Sequence, residues 1–331
     1  MIDKVKEDLF YKEEFSFSYS SLNRLLFSPK LFYRDYILKQ REIKTDKHLI
    51  EGKLLHLMLL QPEKLHDEFS IVPGKVPSDN IRNVLKAINS NFYDPNNYIK
   101  LEDLDTEIMQ ALKNENLYQS FKDDSKKLAK IQTEDNEEYY KFISTSDKKD
   151  VIDNDMLLKA TERVKLIKAN KDVMSLMNHE ATDFEMDTTQ AFNEKYLECK
   201  LNDFKFGLKG YIDKYIVDDE SKTITIIDLK TTAKPLENFA ETVDFYNYWL
   251  QAAIYSLLVI KNVDENQQNY KIIFKFVVID KYDQVYVFPV QEETIMKWTK
   301  GLADTLQRAN YHYSERKYDL PYDFSNGNVT L

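Results

Sequence analysis

The hydrophobic positions divide the chain into two textures. Up to about residue 183 they recur at helical spacing. Ser20-Ser21 precede Leu22, Leu25 and Leu26, which predicts a helix with hydroxyl caps at its start. Ser28-Pro29 reads as an N-cap and a first-position proline opening a second helix through Leu31, Phe32, Tyr36 and Ile37. A third helix is predicted from about Asp46 to Leu60, stopping before Pro62 and placing Gly52 and His56 one turn apart on one face. Further helical patterns fall near 78–90, 105–116 and 153–177. The last is the clearest, with Met156, Leu157, Ala160, Val164, Ile167 and Met174 on one side.

After Phe184 the apolar positions alternate or form short β-branched runs. Strands are predicted at Tyr196–Cys199, Leu208–Val217 and Thr223–Leu229, with Asp218-Asp219-Glu220-Ser221 as a hairpin connection between the last two. A helix from about Tyr246 to Ile260, two strands at Ile272–Ile279 and Val285–Val290, and a helix near 292–309 complete the pattern. This order predicts an α/β core sheet flanked by helices. The expected organisation is a helical part at 1–65, a helical insertion at 66–183, an α/β core at 184–291 and a C-terminal helix and tail at 292–331, together one integrated domain.

Composition narrows the classes. Of 331 residues, 43% are hydrophobic and 31% charged, which predicts a soluble globular chain with enough length for a sizeable core. The charged start, Met1 to Asp8, does not read as a signal peptide, and no apolar run is long enough to span a bilayer, so a cytoplasmic location is expected. Cys199 is the single cysteine, which excludes a disulfide framework within the chain and a four-cysteine iron–sulfur cluster. A net charge of −10 argues against a protein that coats nucleic acid, but not against an enzyme that holds it in a local groove.

The candidate chemistry lies at the end of one strand. In Thr223-Ile224-Thr225-Ile226-Ile227-Asp228-Leu229-Lys230, the acid and the lysine two residues on point to the same side of a sheet. Asp213 stands fifteen residues upstream in the preceding strand, so a hairpin would let Asp213 and Asp228 converge on one cation beside Lys230. Mg²⁺ or Mn²⁺ takes such oxygen ligands, and a lysine alongside can stabilise charge growing on a phosphate. Acid-x-Lys alone carries little, because nine such triplets occur in the chain. On pattern alone the pair reads equally as a surface ion pair on an edge strand.

Joint occurrence of several motifs adds what the triplet lacks. Gly210-x-x-Asp213, Asp228-x-Lys230-Thr231-Thr232 and Gln251-x-x-x-Tyr255 resemble the RecB-like branch of the PD-(D/E)xK nuclease superfamily. Ser18-Tyr19-Ser20-Ser21-Leu22-Asn23 with Pro29 and Phe32-Tyr33 resembles that branch's N-terminal segment, and Gly52-x-x-x-His56 before Gln61-Pro62-Glu63 resembles its histidine motif. The likeness is strongest to RecE-type exonucleases of phages and prophages. It implies a restriction-endonuclease-like core sheet, metal ligation by Asp213, Asp228 and His56, and assistance to the attacking water by Lys230. Gln251 and Tyr255 would contact the phosphate backbone or buttress the lysine. A further acid often precedes the first aspartate strand; Glu198 is preferred, then Glu194 and Glu185.

The same resemblance implies Mg²⁺ or Mn²⁺ as cofactor and DNA duplex ends as substrate. It implies 5′ to 3′ exonuclease action in recombination or repair, and it admits a homo-oligomer and a single-strand annealing protein as partners. Arg24, Arg34, Lys53 and Thr231 are the candidate DNA contacts, with Lys39, Arg41, Lys44 and Lys47 nearby. Some of the 22 tyrosines would stack on unpaired bases. Two rivals stand beside this reading: a structure-specific or restriction-type endonuclease, and a non-catalytic DNA-binding or assembly protein with the same fold. Each motif residue also has a plain reading: His56 as a core histidine among leucines, Gln251 and Tyr255 as hydrogen-bonding core residues.

Overall fold

Thr223 to Thr231 form a strand buried continuously from Ile226 to Leu229, and around it the main sheet is assembled. The structure is a computed structural model and describes all residues except 1, 42–46, 73, 93–97, 146–148, 178–187, 326, 328, 330 and 331. In chain order the elements are α1 (Ile2–Phe10), β1 (Ser16–Phe17), α2 (Tyr19–Phe27), α3 (Pro29–Phe32), α4 (Lys47–Leu60), α5 (Leu65–Glu68), β2 (Phe69–Ile71), α6 (Asp79–Phe92), α7 (Asp105–Asn114), α8 (Asp124–Ile131) and α9 (Glu134–Thr145). Then follow β3 (Asp150–Ile152), α10 (Asn154–Ala169), α11 (Lys171–Met177), β4 (Thr189–Lys200), β5 (Gly207–Asp218), β6 (Thr223–Thr231), α12 (Phe239–Phe245), α13 (Tyr248–Asn262), β7 (Lys271–Ile279), β8 (Val285–Val290), α14 (Glu292–Glu315) and α15 (Tyr322–Ser325).

The chain divides into two compact units, residues 1–43 with 166–331, and residues 44–165. The first unit holds a sheet of six strands among the described residues, in the order β1-β5-β6-β7-β8 with β4 also paired to β5. β5 and β6 are antiparallel neighbours, as the acidic turn predicts, and β6 runs parallel to β7. Helices α13 and α14 pack with this sheet: Ile224 and Ile226 of β6, Phe274, Phe276 and Val278 of β7, and Leu250, Ile254 and Leu258 of α13 share one core with Leu302 and Leu306 of α14. Each such side chain, fully buried, contributes about 1.5–3 kcal/mol. The α/β core flanked by helices is therefore as expected.

The second unit has its own apolar core of Val84, Leu85, Ile88, Ile108, Leu112, Tyr139 and Tyr140 from α6, α7 and α9, and a small parallel pair, β2 with β3. His56 and Gly52 lie on α4 in this unit, and Leu54 of that helix packs with Phe69, Ile152 and Met156.

Two helices depart from the sequence pattern. The one expected at 153–177 breaks at Asn170, whose side-chain oxygen accepts from the amides of Asp172 (3.0 Å) and Val173 (3.2 Å) and so caps α11. The helix opening at Pro29 ends in a widened π turn over Tyr33–Ile37, in which the Leu38 amide reaches back to the Tyr33 carbonyl at 2.9 Å. That turn seats Asp35 in the interior.

Candidate active site

The β5–β6 ladder pairs Asp218 with Thr223 and continues to Lys214 with Ile227, where it ends. The next step of that register sets Asp213 opposite Asp228. Where pairing stops, the Asp213 carboxylate accepts the Leu229 amide at 2.7 Å, replacing a partner strand by a side chain. Asp213 is 6% exposed and Asp228 is fully buried. On β6 the face that carries Ile224 and Ile226 into the core continues as Asp228 and Lys230. One face of one strand thus passes from apolar core to charged site.

Lys230 Nζ lies 2.5 Å from Oδ2 of Asp228 and 4.8 Å from the centre of the Tyr248 ring. Burial works against the Lys230 charge, but the carboxylates of Asp228 and Asp213 outweigh it and hold the ammonium above its ordinary pKa. Tyr255, on α13, is buried, and burial together with the same two carboxylates raises its hydroxyl well above the usual tyrosine range. Gln251 Nε2 donates to the Tyr255 hydroxyl at 2.8 Å, one turn apart, while Gln251 Oε1 is buried without a hydrogen-bond partner among the described residues. Gly210 lets β5 pass close to this helix: a Cβ there would meet Tyr255 Cε1 at 3.2 Å and Leu258 Cδ1 at 3.3 Å.

Across β5, strand β4 brings a third acid. Asn193 pairs with Lys214 and Lys195 with Ile212, and Glu194 falls between them, opposite Asp213. Carboxylate oxygens of Glu194 and Asp213 lie within 4.8 Å of one another. Glu194 holds the left-handed conformation, φ 46°, which a non-glycine residue adopts at a cost of roughly 1–3 kcal/mol. At the same level β5 loses its period of two, since Ile212 and Tyr215 enter the same core although three positions apart.

Glu198, the acid preferred from sequence, lies four residues further along β4, opposite Lys209. It accepts hydrogen bonds from Ser16 Oγ and, at 2.7 Å, from the Tyr196 hydroxyl, and these hold its carboxyl below the ordinary glutamate value. The group beside Asp213 contains Glu194 and not Glu198. Sequence offered no signal for this choice, because a left-handed glutamate within a strand has no composition cue such as glycine or asparagine. Glu185 and Lys44 lie outside the described residues.

The remaining candidates are held as follows. His56 is half-buried on α4 of the second unit. Thr231 closes β6, paired with Ile279. The Arg24 guanidinium meets Asp35 Oδ2 through Nε at 2.8 Å and its terminal nitrogen at 2.7 Å, and Arg34 Nε meets Oδ1 at 2.7 Å. Burial would raise the Asp35 pKa, but the two guanidiniums overcome it and hold the carboxyl below its ordinary value. Lys53 Nζ, in the second unit, is shared between Glu68 (2.8 Å) and Asp150 (2.9 Å).

Comparison with known proteins bears on this geometry. The family model described as the PD-(D/E)XK nuclease superfamily matches residues 16–319. The chain belongs to this superfamily. Among solved structures it is similar to a protein from Eubacterium rectale described as "Putative exonuclease", at 12% identity and a TM-score of 0.50, covering 100% of this chain and 91% of that one. At that identity the likeness shows the fold. No curated protein gives a significant match. In this chain an acid-x-Lys triplet, Asp228-Leu229-Lys230, lies at the end of β6, and the strand register sets Asp213 opposite Asp228. The hard oxygen donors of Glu194 and Asp213 suit a divalent cation such as Mg²⁺ or Mn²⁺. Among the described residues no helix is long and apolar enough to cross a membrane.

Proposed function

We propose that this nuclease hydrolyses DNA phosphodiester bonds from duplex ends with Mg²⁺ or Mn²⁺, running 5′ to 3′, in phage or bacterial recombination or repair. The observation that carries the reading is the meeting of Asp213 and the Asp228–Lys230 pair at the point where β5 and β6 part. End-dependence and polarity rest on the resemblance of its motifs to the RecE-type, RecB-like branch, and so do a homo-oligomer and a single-strand annealing partner.

In this reading Asp213, Asp228 and Glu194 hold the cation, and Glu194 takes the role that sequence gave to Glu198. The resemblance adds His56 as a further ligand. When bound, the cation would supply a water of lowered pKa and offset charge growing on the phosphate. Lys230, kept charged by the carboxylates, orients the attacking water or meets the phosphate oxygens. Gln251 and Tyr255 fix the helix behind the lysine, and the Gln251 side-chain oxygen is left to orient a substrate-side donor. Arg24, Arg34 and Thr231 would contact the DNA backbone, whereas Lys53, a candidate from sequence, is engaged by Glu68 and Asp150.

The test is digestion of end-labelled linear duplex with Mg²⁺ or Mn²⁺. The parent protein should release 5′-terminal nucleotides first, chelation should stop it, and Asp228→Ala and Lys230→Ala should each lower the rate by about 100-fold or more. Covalently closed circular DNA should stay intact; nicking or linearisation would instead favour the structure-specific or restriction-type endonuclease. No cleavage by the parent, or undiminished cleavage by both variants, would overturn the mechanism and leave a DNA-binding or assembly role.

A further inference from the structure

The corner between α12 and α13 turns two aromatic rings into solvent beside the candidate active site. Phe245 is 73% exposed and Tyr246 48%. The rings stand edge to face with centroids 4.9 Å apart. Tyr246 in turn stacks on Tyr248 at 5.6 Å with an interplanar angle of 24°. Tyr248 is the ring that lies 4.8 Å from Lys230 Nζ. An unbroken run of rings therefore leads from Lys230 to the surface.

The backbone of this corner is fixed although its rings are exposed. Asn247 takes the left-handed conformation, φ 56°, that turns the chain from one helix into the next. The Tyr246 carbonyl accepts from the Tyr19 hydroxyl and from Asn23 Nδ2 at 3.3 Å, and Asn247 Nδ2 donates to Asn23 Oδ1 at 2.8 Å. Two side chains of α2 thus hold the corner by its main chain and leave both rings available. Lys234 Nζ, paired at 3.8 Å with Glu241, stands 5.8 Å from the Phe245 ring centre. The loop that carries Lys234 is tied by the Leu236 amide to Asp280 Oδ2 at 3.2 Å.

Single exposed hydrophobic residues are ordinary, but a phenylalanine and a tyrosine in mutual contact, held rigidly and continuous with a catalytic lysine, ask for an occupant. Nucleobases fit that description. Every base has a π-face, so stacking grips a strand without reading its sequence, and a lysine beside the rings can meet the intervening phosphate. Bases within a duplex are already stacked and paired, so the strand that uses these rings must be unpaired there. We propose that Phe245 and Tyr246 form a stacking platform for the unpaired bases of the strand entering the site, with Tyr248 continuing it to Lys230. The proposal rests on the nuclease reading and deepens it: the substrate strand is single at the point of entry.

The experiment measures binding apart from cleavage. Short single strands carrying 2-aminopurine are titrated with the full chain bearing Asp228→Ala, and with the same chain also bearing Phe245→Ala, Tyr246→Ala or Phe245→Trp. The platform predicts quenched fluorescence, affinity weakened about 5- to 100-fold by each alanine, and affinity kept by Phe245→Trp. Strands with abasic sites in place of the stacked bases should bind the reference chain correspondingly weakly, and the alanines should then cost nothing more. Alanine variants that bind within twofold of the reference, or whose penalty persists in full on abasic strands, would overturn the platform. Cleavage assayed in the Asp228 parent separates the two readings. Stacking without any cleavage keeps the platform and removes the nuclease mechanism, whereas cleavage with no effect of the alanines does the reverse.

Discussion

Glu194 and Glu198 are four residues apart on one strand and have the same side chain, yet their surroundings differ in kind. Glu198 spends its oxygens on Ser16 and Tyr196, two neutral donors that satisfy a carboxylate at a sheet edge. Glu194 sits opposite Asp213 on a left-handed backbone. Two carboxylates facing each other repel and the backbone conformation adds its own cost, and a cation held between them would offset both. Binding of Mn²⁺ followed by titration calorimetry separates the two acids. Glu194→Gln should weaken binding about tenfold or more, because a ligand is at least as costly to lose as the outer contacts whose loss costs about 10- to 100-fold. Glu198→Gln should leave it within about twofold. Equal effects from both, or a larger effect from Glu198→Gln, would return the role to Glu198.

At the scale of elements, the site depends on how closely β5 and α13 approach. Gly210 is where they touch, and the Gly210-x-x-Asp213 spacing sets the close contact one turn of pleat before the carboxylate. Gly210→Ala would place a methyl within 3.2 Å of Tyr255 and 3.3 Å of Leu258, so the helix must retreat by a few tenths of an ångström. The expected cost is about 1–3 kcal/mol in thermal or denaturant unfolding. Cleavage should fall further than stability does, because Tyr255 carries the Gln251 contact with it. A variant with lowered stability and unchanged activity would show that this approach serves packing alone. Much of this level is readable in sequence. The series Ile224, Ile226, Asp228, Lys230 states where on one face of β6 the apolar core gives way to charge, and the acidic turn at 218–221 states the hairpin. What the pattern does not carry is the defect at Glu194, the Asn170 break and the π turn around Asp35. Each is set by a local side-chain or backbone contact that no hydrophobic period records. The pattern also leaves out helices α8 and α9, whose charged faces hide a short apolar stripe.

For the whole molecule, a chain of net charge −10 must hold a polyanion through local charge, and the structure limits where that charge is available. Arg24 and Arg34 share one buried aspartate, so the trio carries one net positive charge, with the two guanidinium side chains 33% and 37% exposed. Removing either arginine leaves a neutral pair. Lys53 faces two carboxylates, and that trio is already net negative, which makes it a poor phosphate contact despite its place near the histidine motif. These balances give distinct salt dependences. Each phosphate contact contributes a slope of about −0.9 to the plot of log affinity against log salt for duplex DNA. Arg24→Ala and Arg34→Ala should each make that slope shallower by about 0.9, and the double variant by about twice as much, because it takes the trio from one net positive charge to one net negative charge. Lys53→Ala should leave the slope as it was. Asp35→Asn supplies the control of opposite sign, since freeing the second guanidinium from its counter-charge should steepen the slope by a similar step while destabilising the N-terminal helices by about 2–3 kcal/mol. That cost is discounted from the roughly 3–5 kcal/mol of a fully buried pair because the guanidiniums are partly in water. A slope that follows Lys53 and ignores Arg24 and Arg34 would mean that the DNA backbone is held by the second unit's charges and not by the arginines organised on Asp35.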